Sequence, residues 1–467
     1  MEALVWVLSH GYPRVPERDG RTEDRVIHSP RDECEVRTGV TSALVFLLYL
    51  FGIPYIFLMV MVVVGMFRAR PAGRSGALPS VSVVLPAHNV LREQPASRSG
   101  TLPSVSVVLP AHNEEAKLGA TLASLAQQRY AGSLEFVIVD DRSTDGTRGI
   151  IESFVAKDAR FRLVSVAEPS RKLAPKVNAV NHGIRHSEAE IIVATDADCR
   201  YHPEWVAGLV EHFEPDVAMV VGYVSTSQPG EARTLLQRFE SVDWFTLMLV
   251  SRSMTRFGLK FASSANNLAY RRGAFESVGG FGAAGRAPSG DEDLLTQRLG
   301  RISGSRVVFA EDERTRVLTQ GAPTTRTLLR QRRRWVSRYH HVLHYHPGFM
   351  TGIAALGLQS VFLTLSVLLT PFVPALLPWV AGLWAVKALV EWVGMGVGTK
   401  QFGRRDLWGL STLWWILWHP AFIAVSVVGS FVSPSAWHAG ADSYRRRFFQ
   451  RRLRELRRRV RAAALRS

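Results

Sequence analysis

The chain has 467 residues, 47% of them hydrophobic, with a net charge of +17 and two cysteines. That length suits one large domain, or two, with a sizeable core. Cys34 and Cys199 are too few and too far apart for a disulfide framework or a zinc site.

The charge is concentrated. Residues 445–467 hold eleven arginines and one glutamate, residues 322–350 hold six arginines and no acid, and the remainder is near neutral. Both clusters border apolar blocks, which points to anionic membrane lipid as a partner and away from nucleic acid, whose binders spread basic residues over a folded face.

In chain order, residues 1–40 are polar and aperiodic, and their short apolar start lacks the basic flank of a signal peptide. Residues 41–67 are apolar for long enough to span a bilayer. Arg68, Arg70 and Arg74 follow at once and assign the next part to the cytoplasm. Residues 68–100 form a linker with an unusual repeat: RSGALPSVSVVLPAHN at 74–89 recurs as RSGTLPSVSVVLPAHN at 98–113. Only the second copy runs on into a helical pattern, with Leu118, Leu122 and Leu125 on one face, so it belongs to the folded domain and the first is a spare segment.

Residues 101–320 then alternate strands and helices, with strands at 105–109, 135–140, 162–166, 190–195, 217–222 and 307–310. That is an α/β domain with a mostly parallel sheet, whose ligands sit at the carboxyl ends of the strands. Residues 321–350 form a basic interfacial segment, 351–434 hold three further apolar blocks, and 435–467 a basic tail with Phe449, Leu453, Leu456 and Val460 at helical spacing. Lys387 and Glu391 lie inside the second block at i,i+4, the spacing of an ion pair and a candidate for a functional one. Three spans after a cytoplasmic domain would put the basic tail outside, against the charge rule, so one block, such as that broken at His419-Pro420, is expected to be re-entrant or to lie in the interface.

Chemistry-bearing residues fall at strand ends. The run 191–195 breaks into Asp196-Ala-Asp198, two hard oxygen donors suited to Mg²⁺ or Mn²⁺ and expected to point the same way off the strand, although an acidic turn capping a helix has the same composition. Asp140 and Asp141 end another strand, where a carboxylate can accept a nucleobase N–H or cap the next helix. Ala111, His112 and Glu114 follow the first strand, and Lys176 opens a helix within reach of a phosphate. Asp291-Glu292-Asp293, after a loop rich in Gly and Pro, can supply a general base or cap a helix. Gln331-Arg-Arg-Arg334-Trp335 combines guanidinium groups that grip diphosphate with an aromatic platform, or makes an interfacial basic helix. Gly280-Phe-Gly282-Ala-Ala-Gly285 matches the dinucleotide fingerprint but follows a helical stretch, so it is rejected.

PAHNE, VDDRSTDGT, TDAD, the acid cluster and QRRRW, in this order over roughly residues 105–335, resemble the membrane-embedded processive branch of glycosyltransferase family 2, which makes cellulose, chitin, hyaluronan and poly-N-acetylglucosamine. The resemblance implies a GT-A fold, Rossmann-like and set between transmembrane helices, in a multi-pass protein of the cell membrane. It implies inverting, metal-dependent transfer from a nucleotide-diphosphate sugar, most often UDP-linked, to a growing polysaccharide. The alternative is single addition to a lipid or lipid-linked glycan. By position it implies that Asp141, with Asp140, binds the nucleobase. Ala111, His112, Glu114 and Lys176 would line the nucleotide-sugar pocket, and Asp198, with Asp196, would hold the metal. Asp291 or Asp293 would be the base, with Asp291 favoured, and Gln331, Arg334 and Trp335 would clamp diphosphate and acceptor.

Overall fold

The computed structural model describes residues 30–69, 102–170, 173–260, 264–282, 285, 291–337 and 346–432. The first copy of the repeat and the basic tail lie outside the described residues.

Strands β1 (Val105–Ala111), β2 (Leu134–Asp140), β3 (Phe161–Ser165) and β4 (Ile191–Ala194) pair in parallel in the order β3-β2-β1-β4. Strands β1, β2 and β4 are apolar, largely β-branched runs because both faces are covered: Val107, Val108, Leu109, Val137, Ile138, Ile192 and Val193 are fully buried. Each such side chain contributes roughly 1.5–3 kcal/mol on leaving water. Helix α1 (Pro30–Phe67) precedes the sheet, and α2 (Glu115–Ala126), α3 (Thr147–Val155) and α4 (Pro175–Arg185) alternate with its strands. Leu118, Leu122 and Leu125 of α2 are all buried, as their spacing predicts. Gly183 lets α4 sit close to the sheet, since a Cβ there would lie 2.4 Å from Val108 Cγ1.

Beyond β4 the sheet continues as β8 (Leu268–Arg271), β6 (Val217–Gly222) and β9 (Arg306–Ala310), with β8 antiparallel to both neighbours. A second sheet joins β5 (Cys199–Tyr201), β10 (Val317–Thr319) and β7 (Val224–Ser225). The α/β reading is therefore right; within the main sheet the strand missed by pattern alone is β8, whose LAYR sequence is too short to stand out. Helices α5 (Trp205–Val210), α6 (Leu235–Arg256), α7 (Arg272–Ser277), α8 (Asp291–Leu299) and α9 (Thr325–Ser337) complete the domain. The acid cluster opens α8, and the basic segment is α9.

Among the described residues, four helices are long and apolar enough to cross a membrane: 41–67 within α1, then 347–369, 374–401 and 410–431. Helix α1 starts at Pro30, inside the stretch read as an aperiodic polar segment. Helices α10 (Pro347–Leu369), α11 (Leu377–Gln401) and α12 (Leu410–Val432) follow. Phe51 stacks on Phe362 at 5.0 Å, and Leu48, Leu363 and Leu383 form a cluster away from the domain. Nearer the domain, Gly65 and Gly398 abut Ser253 and Leu249 of α6. The expected Lys387–Glu391 pair is buried, 2.6 Å apart, and the Tyr55 hydroxyl donates to Glu391. Helix α12 stays against the domain along its length: Trp415 meets Asp243, Phe422 meets Phe239 at a 5.0 Å ring separation, and Gly429 meets Arg333.

Candidate active site

The site forms where the parallel sheet changes direction, between β1 and β4, which is where open α/β sheets leave a crevice. At the end of β1 the chain turns through Asn113, whose φ of 56° is left-handed and tolerated best by Gly, Asn and Asp. Arg142, φ 61°, makes the matching turn after β2. The two turns are stitched together: Asn113 N–H donates to Ser143 Oγ at 3.1 Å, Thr144 N–H to Asn113 Oδ1 at 2.8 Å, and Glu114 N–H to Thr147 Oγ1 at 2.8 Å. His112 Nδ1 lies 2.6 Å from the Asp141 carbonyl, so that nitrogen carries the proton, while Nε2 accepts from the Asn113 amide at 3.3 Å.

The carboxylates of Asp140 and Asp141 diverge, as successive residues at a strand end must. Asp140 turns inward, accepts the Ser143 N–H at 3.0 Å and stays out of the cavity. Asp141 faces the cavity and accepts from Arg142 Nε at 3.0 Å.

Strand β4 stops at Ala194, so Asp196 and Asp198 are brought together by the tight turn between β4 and β5 and not by strand alternation. Thr195 Oγ anchors that turn to the Tyr201 hydroxyl at 2.8 Å and the Asn266 carbonyl at 2.9 Å. Asp196 pairs with Lys176 at 2.6 Å, and Asp198 lies 3.8 Å from Lys117 and accepts from Thr319 Oγ at 3.3 Å. Burial, and then the neighbouring Asp196 charge, hold the Asp198 carboxyl above its ordinary range despite the two lysines. Glu114 is raised too, by burial first, with Lys117 opposing and Asp198 and Asp196 adding to it.

A single cavity of about 1540 Å³ joins these groups. At one end it is lined by Ala111, His112, Glu114, Asp141, Lys176, Asp196 and Asp198. Asp293, 3% exposed, lines the wall beyond, whereas the side chain of Asp291 lies outside the described residues. Gln331, Arg334 and Trp335 of α9 line the far end, which continues between Phe349 and Ile353 of α10 and Ile423 and Val427 of α12. Arg332, from the same arginine run, lines the cavity as well, and Lys117, Asn266 and Thr319 also line it and were not anticipated. Lys117 was legible in principle, one helical turn after Glu114. Thr319 comes from β10 and Asn266 from the turn before β8, both remote in sequence, and no local pattern marks them.

Residues 106–279 match the glycosyl transferase family 2 model. The chain is 34% identical over 156 residues to an N-acetylglucosaminyltransferase of Bradyrhizobium elkanii, covering 71% of that protein and 33% of this chain. The chain belongs to glycosyl transferase family 2. It is also 31% identical over 211 residues to an N-acetylglucosaminyltransferase of Sinorhizobium fredii, the match spanning 44% of each chain, so under half of that relative's length is covered. In fold it resembles a mannosyltransferase of Pyrobaculum calidifontis solved with GDP-Man and Mn²⁺, with a TM-score of 0.50, 17% identity, 85% of this chain and 100% of that chain. The domain has the GT-A-like fold.

Proposed function

We propose that the protein is an inverting membrane glycosyltransferase that moves a sugar, N-acetylglucosamine first among the candidates, from a UDP-linked donor to a growing glycan. The observation that carries the proposal is the single cavity running from Asp196 and Asp198 past Asp293 to α9 and on between α10 and α12. Its volume exceeds the roughly 300–1,000 Å³ of ordinary ligand pockets, which leaves room for an acceptor beside the donor. The sugar follows the activity of the matched relatives, which are N-acetylglucosaminyltransferases.

Each residue then has a task. Asp141 accepts a hydrogen bond from the nucleobase, and Lys176 and Lys117 offset phosphate charge beside the acid pair. Among the described residues no group of three or more His, Cys, Asp or Glu could hold a metal, so the pair would hold a hard cation only together with donor phosphate oxygens. Asp196 and Asp198 fit Mg²⁺ or Mn²⁺ in that way, as two close carboxylates in a partly dry site. When bound, the cation neutralises charge growing on the leaving diphosphate. Asp293 takes the proton from the acceptor hydroxyl as that oxygen attacks the anomeric carbon from the face opposite the diphosphate, which inverts the configuration. Gln331, Arg334 and Trp335 grip diphosphate and acceptor.

The protein sits in the cell membrane with its domain in the cytoplasm. Helices α1, α10 and α11 span the bilayer, and α12 lies along the interface, because Trp415, Phe422 and Gly429, spread along it, each meet the domain side. Three spans leave the arginine-rich tail in the cytoplasm, in accord with the charge rule.

The test is to supply membranes containing the protein with labelled UDP-sugars and to size the product. A ladder of glycans supports polymerisation, one sugar on a lipid supports the single-addition alternative, and no UDP release with any sugar or acceptor would sink both.

A further inference from the structure

Helix α9 is held by two buried acids of α6. Glu240, 1% exposed, accepts the Ala322 N–H at 2.8 and 3.1 Å and so fixes the loop that leads from Thr319 to the helix. Asp243, 4% exposed, takes Arg332 Nε at 2.8 Å and Nη2 at 2.5 Å on one oxygen, Oδ2. The same guanidinium donates Nη1 to Gln331 Oε1 at 2.8 Å and lies 4.0 Å from the centre of the Trp335 indole. One arginine therefore orients two of the three residues assigned to grip the acceptor.

The second oxygen of Asp243 faces a different helix. Trp415 Nε1 donates to Oδ1 at 3.3 Å, and His419 Nε2 lies 3.6 Å from it, both from α12. The two rings stack at 4.2 Å, and Trp415 also lies 5.9 Å from the Lys387 ammonium, which belongs to the buried Lys387–Glu391–Tyr55 cluster of the membrane helices. Each oxygen of one carboxylate thus serves a separate element: Arg332 of α9 on one side, Trp415 and His419 of α12 on the other. An ionised carboxylate suits this place because every group facing it can donate and it only accepts. A side-chain amide of the same shape must turn its NH₂ toward either the guanidinium or the indole, both of them donors.

We propose that Asp243 is a positioning residue for sugar transfer: it ties the acceptor-gripping segment Gln331–Trp335 to helix α12, so that the aim of Gln331 and Trp335 is set by the membrane part of the protein. The proposal rests on the reading of Gln331, Arg334 and Trp335 as the grip on diphosphate and acceptor. It adds a residue outside every motif of the sequence, acting through Arg332 and not on substrate.

The experiment uses the full chain in lipid nanodiscs, with Asp243→Asn, Trp415→Phe, Arg332→Lys and the double variant Asp243→Asn with Arg332→Lys. Hydrogen exchange is followed at 325–337, and at β1 and β4 as a check on folding; kcat and the donor KM are measured by UDP release. Asp243→Asn is expected to speed exchange at 325–337 alone and to lower kcat about 10- to 100-fold, the cost of misplacing a group by about an ångström, with little change in donor KM. Trp415→Phe, which keeps the ring and loses one donor, is expected to do the same more weakly. In the double variant the losses should not multiply, since both changes act through one guanidinium. Unaltered exchange at 325–337 in Asp243→Asn and Trp415→Phe overturns the anchoring, whatever the fate of the grip. Faster exchange with unaltered transfer overturns the role in the reaction, and with it the reading of Gln331–Trp335. Losses that multiply overturn action through Arg332.

Discussion

The two ends of the cavity handle buried acid in opposite ways. At the donor end, Asp196, Asp198 and Glu114 crowd together with Lys176 and Lys117, among the described residues, against them, and Asp198 and Glu114 are pushed toward their protonated forms. At the acceptor end, Asp243 meets one guanidinium, the Trp415 indole N–H and, at 3.6 Å, the His419 ring, with both oxygens occupied. The first cluster has negative charge in excess, so it gains from a ligand that brings positive charge. The second is complete within the protein, so its worth is to hold helices in register. Burial alone does not separate a functional carboxylate from a structural one; the balance of partners does.

Substitutions should break this contrast in a graded way. Asp198→Asn is expected to lower UDP release by about 10³-fold or more, the scale of removing a group that stabilises developing charge. The melting temperature of the cation-free protein should stay level or rise, because like-charge crowding is relieved. A marked fall in that temperature would make Asp198 a structural acid. Asp293→Asn should lower kcat about 10²- to 10⁴-fold while donor binding, measured by calorimetry, is kept, as expected for a lost base. Loss of donor binding instead would move Asp293 to the donor side.

Asp243→Ala inverts the pattern. Leaving Arg332 buried without its partner should cost about 3–5 kcal/mol of unfolding free energy, measured by denaturant titration in detergent. A cost under about 1 kcal/mol, the scale of an exposed pair, would mean the pair is not closed off from water.

The smallest effect is on pH. The Asp198 carboxyl titrates above its ordinary range, so in the cation-free protein its contribution to stability is full below about pH 3.9 and is lost as pH rises through the raised value. Cation binding runs the other way, because it needs the ionised form. Affinity for Mn²⁺ in the presence of UDP, followed by electron paramagnetic resonance, should fall on acidification with a midpoint above about pH 3.9. A midpoint at or below that value would remove the burial argument for this site.

Much of the fold was legible because its signals are local. Buried parallel strands are β-branched runs, their ends carry the turn and acid residues, and a spanning helix must be apolar for its whole length. Thus β1, β2, β4, β6, β9, the helix carrying Leu118, Leu122 and Leu125, and the apolar blocks all lie where their patterns put them. The second sheet was not legible, since three-residue strands such as Val317–Thr319 leave no periodicity to read. Nor was the start of α1 at Pro30, where a polar stretch is helical without an apolar stripe to mark it.

The candidate site divides along the same line. Asp141, Asp196 and Asp198 stand out because acids cluster at the end of an apolar run, and Asp293 and the Gln331–Trp335 segment because acids or arginines adjoin one another, which are features of the chain itself. Tertiary structure alone decided that Asp140 turns inward to Ser143 while Asp141 faces the cavity, and that a turn aligns Asp196 with Asp198. It also decided that Arg332, one of three consecutive arginines, is the one buried against Asp243, 89 positions away. A sequence records which groups are available; which of two adjacent groups is desolvated, and opposite what, depends on residues that meet only when remote helices pack.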